Sequence, residues 1–263
     1  MDLQGKARSA EVSQAMAASC PRRKIEWINS AEDYQSSFPI PETGALRVIL
    51  GAMETVAVSL PDTTIVLPNV SWETYERLLE DLADCSAPRL TYDRGRLEIM
   101  SPTPEHEKLN RTINLIVEIV AAELDIHVEV LGSTTFKRMD ISRGFEPDSC
   151  FYTANAERIY GKNKIDLSTD PPPDLVIEID VTSSSIPKMP IFARVGVPEV
   201  WRYDGRSLRI SKLQGDDYVA IDRSLAFPLL TSQALEDFLA KSRERASRPR
   251  LVRFIRDWVA ANR

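Results

Sequence analysis

The chain has 263 residues, 43% hydrophobic and 27% charged, with a net charge of −6, which suits one sizeable core plus tails. No apolar run approaches the ~18 residues of a membrane-spanning helix, and residues 1–20 lack the apolar stretch of a signal peptide. Cys20, Cys85 and Cys150, with His106 and His127, show neither disulfide nor zinc-ligand spacing, so a reducing, cytoplasmic setting without structural zinc is expected.

In chain order, residues 1–64 mix Ser, Ala, Arg and Pro without sustained periodicity and read as a partly flexible extension. The core begins at Ile65. Ser71 caps a helix whose Trp72, Tyr75, Leu78, Leu79 and Leu82 lie on one side. Arg89–Ser101 reads as a hairpin turning at Asp93-Arg94-Gly95. Thr103 then caps a second helix with Pro104 in its first position. Its stripe is Leu109, Ile113, Ile116, Val117, Val120 and Leu124.

Strands are expected near 127–138 and 147–152, followed by a loop through Lys162 and a strand from Asp174. A short helix over about 186–195 leads to Glu199–Tyr203, a turn at Asp204-Gly205, and two more strands. The last section, 231–263, holds eight Lys and Arg against four Asp and Glu and forms two helices. Leu251, Ile255, Trp258 and Val259 share one side of the second helix. That side either packs on the parent domain or a second subunit or, being flanked by arginines, touches nucleic acid or membrane.

The run Asp174 to Thr182 is the most informative. Alternation along a strand puts Asp174, Glu178 and Asp180 on one face with Val176, opposite a wholly apolar face of Leu175, Ile177, Ile179 and Val181. Carboxylates at i and i+2 either line a solvated edge or share a hard cation. Upstream, Pro147 fixes the backbone so that Asp148 starts a strand at a defined place. Lys188 stands alone near the next helix start. His106, three before Leu109 and seven before Ile113, faces inward at the helix entrance, and Glu107 follows it.

Five phrases in this order resemble a bacterial family of restriction endonucleases within the PD-(D/E)XK nuclease superfamily. They are Leu90–Pro102, Glu105-His106-Glu107, Glu146-Pro147-Asp148, Asp174–Ser185 and Gly196–Gly205, and they fall within residues 65–230. The resemblance implies an α/β, restriction-endonuclease-like domain: a central mixed β-sheet flanked by helices, with residues 231–263 as a C-terminal helical extension. It implies Mg²⁺, with Mn²⁺ as a substitute, held by Asp148 and Glu178. It also implies DNA as substrate and a homodimer, since two strands need two sites.

The family's usual lysine slot, two residues after the Glu, holds Asp180 here. The resemblance therefore assigns the lysine role to Lys188, with Asp180 as a third ligand or a partner of that lysine, and His106 or Glu107 in support. The expected activity is metal-dependent hydrolysis of DNA phosphodiester bonds. Two rivals stand beside it. One is a catalytically silent binding protein that kept the nuclease fold, which Asp180 in the lysine slot and the acidic body of the chain both allow. The other is a glycoside hydrolase using Glu178 and Asp148 as an acid and base pair, which would leave Lys188 idle.

Overall fold

The computed structural model describes residues 63–263 apart from 84–86, 133, 182–185 and 245–246. The expected extension, up to residue 62, and the Thr182–Ser185 segment lie outside the described residues. The strands are β1 (Thr63–Leu67), β2 (Arg89–Asp93), β3 (Arg96–Ser101), β4 (Glu129–Val130), β5 (Phe136–Arg138), β6 (Arg143–Phe145), β7 (Ser149–Tyr152), β8 (Leu175–Ile179), β9 (Glu199–Tyr203), β10 (Leu208–Gln214) and β11 (Asp217–Ile221). The helices are α1 (Trp72–Asp81), α2 (Pro104–Glu123), α3 (Ala156–Ile159), α4 (Met189–Val195), α5 (Ser232–Arg243) and α6 (Arg248–Asn262).

A six-stranded mixed sheet runs in the order β11-β10-β9-β8-β7-β4. Among the described residues only β8 and β9 pair in parallel; α4 lies on the crossover between them. This is the helix-flanked mixed sheet that the sequence leads one to expect. The two faces of β8 follow its alternation. Leu175, Ile177 and Ile179 join a core with Ile113, Ile116, Val117 and Val120 of α2, and with Leu235, Phe238, Leu251, Ile255 and Val259 of α5 and α6. Val176, with Cys150 and Val200 beside it, faces Ile191, Phe192 and Val195 of α4.

The terminal helix thus buries its apolar side on its own domain, and Arg256 Nε pairs with Glu123 Oε1 of α2 at 2.9 Å. Among the described residues no helix is long and apolar enough to cross a membrane.

A second sheet, all antiparallel, runs β1-β3-β2-β6-β5. The Arg89–Ser101 hairpin belongs here, its turn residues Arg94 and Gly95 both at positive φ, as a two-residue turn matched to strand twist requires. The span expected as one strand near 127–138 is divided: β4 pairs with β7 in the first sheet and β5 with β6 in the second. A 3₁₀ turn at Met139–Ile141 separates β5 from β6. Part of the expected loop before Lys162 winds into the single turn α3.

Helix α1 lies on this sheet through Trp72 and Tyr75, which meet Leu90, Tyr92 and Leu97. Tyr75 and Tyr92 stack at 4.8 Å. Gly144 of β6 makes the approach possible, because a Cβ there would stand 2.8 Å from Tyr75 Cζ. Tyr75 is fully buried and has no room to give. Gly144→Ala should therefore destabilise the domain by about 1–3 kcal/mol, read as a lowered midpoint in urea unfolding followed by tryptophan fluorescence.

Candidate active site

The site forms at the carboxyl ends of the parallel pair β8–β9, where open α/β sheets place their ligands. Ser149 of β7 pairs with Ile177 of β8, and Asp148 and Glu178 are the next residue along each strand. At that separation opposed Cα atoms lie about 5 Å apart. The Ile179 N–H donates to Asp148 Oδ2 at 2.6 Å, fixing the aspartate across the ladder. Asn110 Nδ2 of α2 holds the Asp148 backbone carbonyl at 2.9 Å. Both carboxylates are only 2% exposed.

Lys188 stands at the N-cap of α4, on the side of β8 that Glu178 faces. Its Nζ reaches Glu178 Oε2 at 2.6 Å, the glutamate buried and the lysine partly so. Burial pushes the Glu178 carboxyl up from its ordinary value; the nearby Lys188 charge pulls it back, and Asp180 adds to the rise. The other oxygen, Oε1, is buried without any hydrogen-bond partner. A buried, unpartnered carboxylate oxygen is unfavourable unless something occupies it.

Asp148, by contrast, is well supplied. Arg89 Nη1 donates to Oδ1, and His106 Nε2 lies 3.0 Å from the same oxygen. Arg89 Nη2 also meets Glu107 Oε1 at 2.5 Å. Asp148, Glu178, Lys188, His106 and Glu107 thus converge. Asp180 lies at the rim, where its Oδ2 accepts two hydrogen bonds from Arg202, at 2.8 Å from Nε and 2.5 Å from Nη2. Asp174, on the same strand face, is occupied elsewhere: it takes the N–H groups of Thr153 and Asn155 and the side-chain amide of Asn155.

Three residues of the cluster escaped the sequence. Arg89 looks like an ordinary strand-start cation, and its partners lie 18 and 59 positions away. Glu146 is half-buried and accepts from the Leu90 N–H at 2.8 Å; its carboxyl is pushed up by burial. Glu98, buried on β3, accepts the Ile186 N–H at 3.0 Å, two residues before Lys188. Its alternation with Leu97 and Ile99 was the one available signal.

Perturbation alone does not define the site. Glu199 is fully buried and its carboxyl is likewise raised by burial, but it is satisfied. It accepts from Trp201 Nε1 at 2.6 Å and from the Leu225 and Ala226 N–H groups at 2.8 and 2.9 Å.

Among the described residues no group of three or more His, Cys, Asp and Glu side chains could hold a metal ion. A site for Mg²⁺ needs less: one or two carboxylates, with water and substrate phosphate completing the shell. Glu178 Oε1 is free. Asp148 spends three contacts of the roughly four a carboxylate can accept. This donor set fits Mg²⁺.

The α/β domain thus sets opposed carboxylates and a lysine at the open end of a parallel strand pair. A family model, Uma2, described as "Putative restriction endonuclease", matches residues 72–242, and the chain belongs to that family. It is also similar to the crystal structure of a "putative nuclease belonging to DUF820" from Anabaena variabilis ATCC 29413. Identity there is 15%, over 56% of this chain and 89% of that one, with a TM-score of 0.40. No curated protein matches.

Glu199→Gln turns one acceptor into a donor facing Trp201 or the 225–226 backbone. It should destabilise the fold by about 1–3 kcal/mol in chemical denaturation, while metal binding measured on the folded fraction stays unchanged.

Proposed function

We propose that this protein is a Mg²⁺-dependent endonuclease that hydrolyses phosphodiester bonds of DNA. The observation that carries the proposal is the unpartnered Oε1 of buried Glu178, set opposite Asp148 and beside Lys188. Asp148 and Glu178 would hold the ion, Mn²⁺ serving as a substitute. A bound Mg²⁺ lowers the pKa of water and neutralises charge on the phosphate and leaving oxygen.

The protein's own groups supply the rest. Lys188 brings an ammonium from the start of α4 into the place that the strand position of Asp180 leaves without a cation. Its Nζ–H donors beyond the one on Glu178 can orient the attacking water or take charge developing on the phosphate. Asp180 bound to Arg202 leaves the arginine side chain 47% exposed, a ready contact for the DNA backbone. His106 and Arg89 hold Asp148 in orientation. A homodimer would bring one such site to each strand.

Two observations favour a second reading, a nuclease fold that binds without cutting. Asp148 already has a guanidinium and an imidazole on one oxygen, and Asp180 fills the usual lysine slot with the wrong charge. Cleavage of supercoiled plasmid with Mg²⁺, Mn²⁺ or EDTA separates the two. The nuclease should nick only with metal, lose all activity in Glu178→Ala, and fall by about 10²–10³-fold in Lys188→Ala. Lys188→Ala also leaves Glu178 buried without its counter-charge, so melting curves in the same buffer distinguish lost chemistry from lost fold. Mn²⁺ binding that needs Glu178 but yields no cleavage of any DNA would support the silent protein instead.

A further inference from the structure

Arg89 opens β2, in the second sheet, yet its side chain is buried in the carboxylate cluster of the first, only 7% exposed. Its Nη1 meets Asp148 Oδ1 and lies 3.3 Å from His106 Nε2. Its Nη2 meets Glu107 Oε1 at 2.5 Å. Burial raises the Glu146 and Glu178 carboxyls, and the charges of Arg89 and Lys188 offset part of that rise in both. Four carboxylates, those of Glu107, Glu146, Asp148 and Glu178, thus gather around the side chains of Arg89 and Lys188.

A divalent ion seated between Asp148 and Glu178 would be a third cation in that space. Like charges a few ångströms apart in a partly buried site repel strongly, and the guanidinium has a lone pair of Asp148 in its grip. Glu107 gives it a second anchor. It can release Asp148 and remain paired, so the exchange leaves no charge stranded.

Resting on the metal-dependent reading above, we propose that Arg89 is the stand-in cation of the metal-free site and sets its affinity: a divalent ion binds by taking Asp148 from the guanidinium, which stays on Glu107. Arg89 is then a positioning residue whose removal strengthens metal binding while weakening the metal-free fold. Lysine in its place keeps the charge but lacks the planar fork whose two nitrogens reach the two carboxylates separately.

The test is Mn²⁺ binding to the full chain, followed by the paramagnetic resonance of free Mn²⁺ and by melting with and without the ion. Arg89→Gln should bind Mn²⁺ at least about tenfold more tightly than the wild type. It should also melt lower in EDTA and gain more from Mn²⁺. Arg89→Lys should fall between them, and Glu178→Ala should bind no Mn²⁺. If Arg89→Gln fails to fold, the wild type decides: in ¹⁵N-arginine spectra the Arg89 guanidinium signals should shift on saturation with Mg²⁺. Equal or weaker Mn²⁺ binding by a folded Arg89→Gln, with binding still dependent on Glu178, would overturn this inference alone. Arginine signals unmoved by saturating Mg²⁺ would do the same. Absence of binding in wild type and variants alike would overturn the metal-dependent reading as well.

Discussion

Two carboxylates buried face to face cannot stand without cations. Asp148 and Glu178 face each other at the open end of the β7–β8 ladder, where burial opposes ionisation of Glu178. Around them the molecule has assembled Arg89 from one sheet, Lys188 from a crossover helix and His106 from the entrance of α2. Removing either cation would leave an uncompensated buried charge, so each supporting element is tied to the others through this point. Such an arrangement is weak evidence for stability and better evidence for a site, because a purely structural position would be filled more cheaply by apolar side chains. Glu199 shows the contrast: equally buried, it has a donor for each oxygen and nothing left to offer.

The two sheets take different shares of this task. The mixed sheet supplies the rigid frame, with α2, α5 and α6 covering one face and α4 the other. The antiparallel sheet delivers Arg89 and, through Glu98, fixes the backbone just ahead of Lys188. Phe145 of the second sheet meets Phe192 of α4 at 4.8 Å, so the sheet that carries Arg89 and the helix that Lys188 caps share one apolar contact. A substitution that shifts β6, such as one at Gly144, would reach the site by that route.

Much of this was legible in the sequence wherever one local rule decided. The alternation in Leu175–Ile179 announced both the apolar face toward α2 and the acidic face toward α4. Ser71 and Thr103 marked their helix starts, and Asp93-Arg94-Gly95 its turn. The convergence of Asp148, Glu178 and Lys188 came through family resemblance rather than spacing, since 30 positions of chain separate the first two and nothing local joins them. What stayed hidden depended on distant pairing. The division of 127–138 between two sheets turns on which partner each two- or three-residue strand finds, and so short a strand carries almost no pattern. Arg89 was invisible for the same reason: an arginine at a strand start declares a charge but not its counter-ion.

The site stands or falls on a divalent ion between Asp148 and Glu178. Anomalous scattering from crystals grown with Mn²⁺ tests it most directly. A peak is expected about 2.1 Å from Glu178 Oε1, with an Asp148 oxygen also in the shell and Lys188 beside it. Full-occupancy Mn²⁺ elsewhere on the protein, with Glu178 Oε1 still facing no ligand, would contradict it.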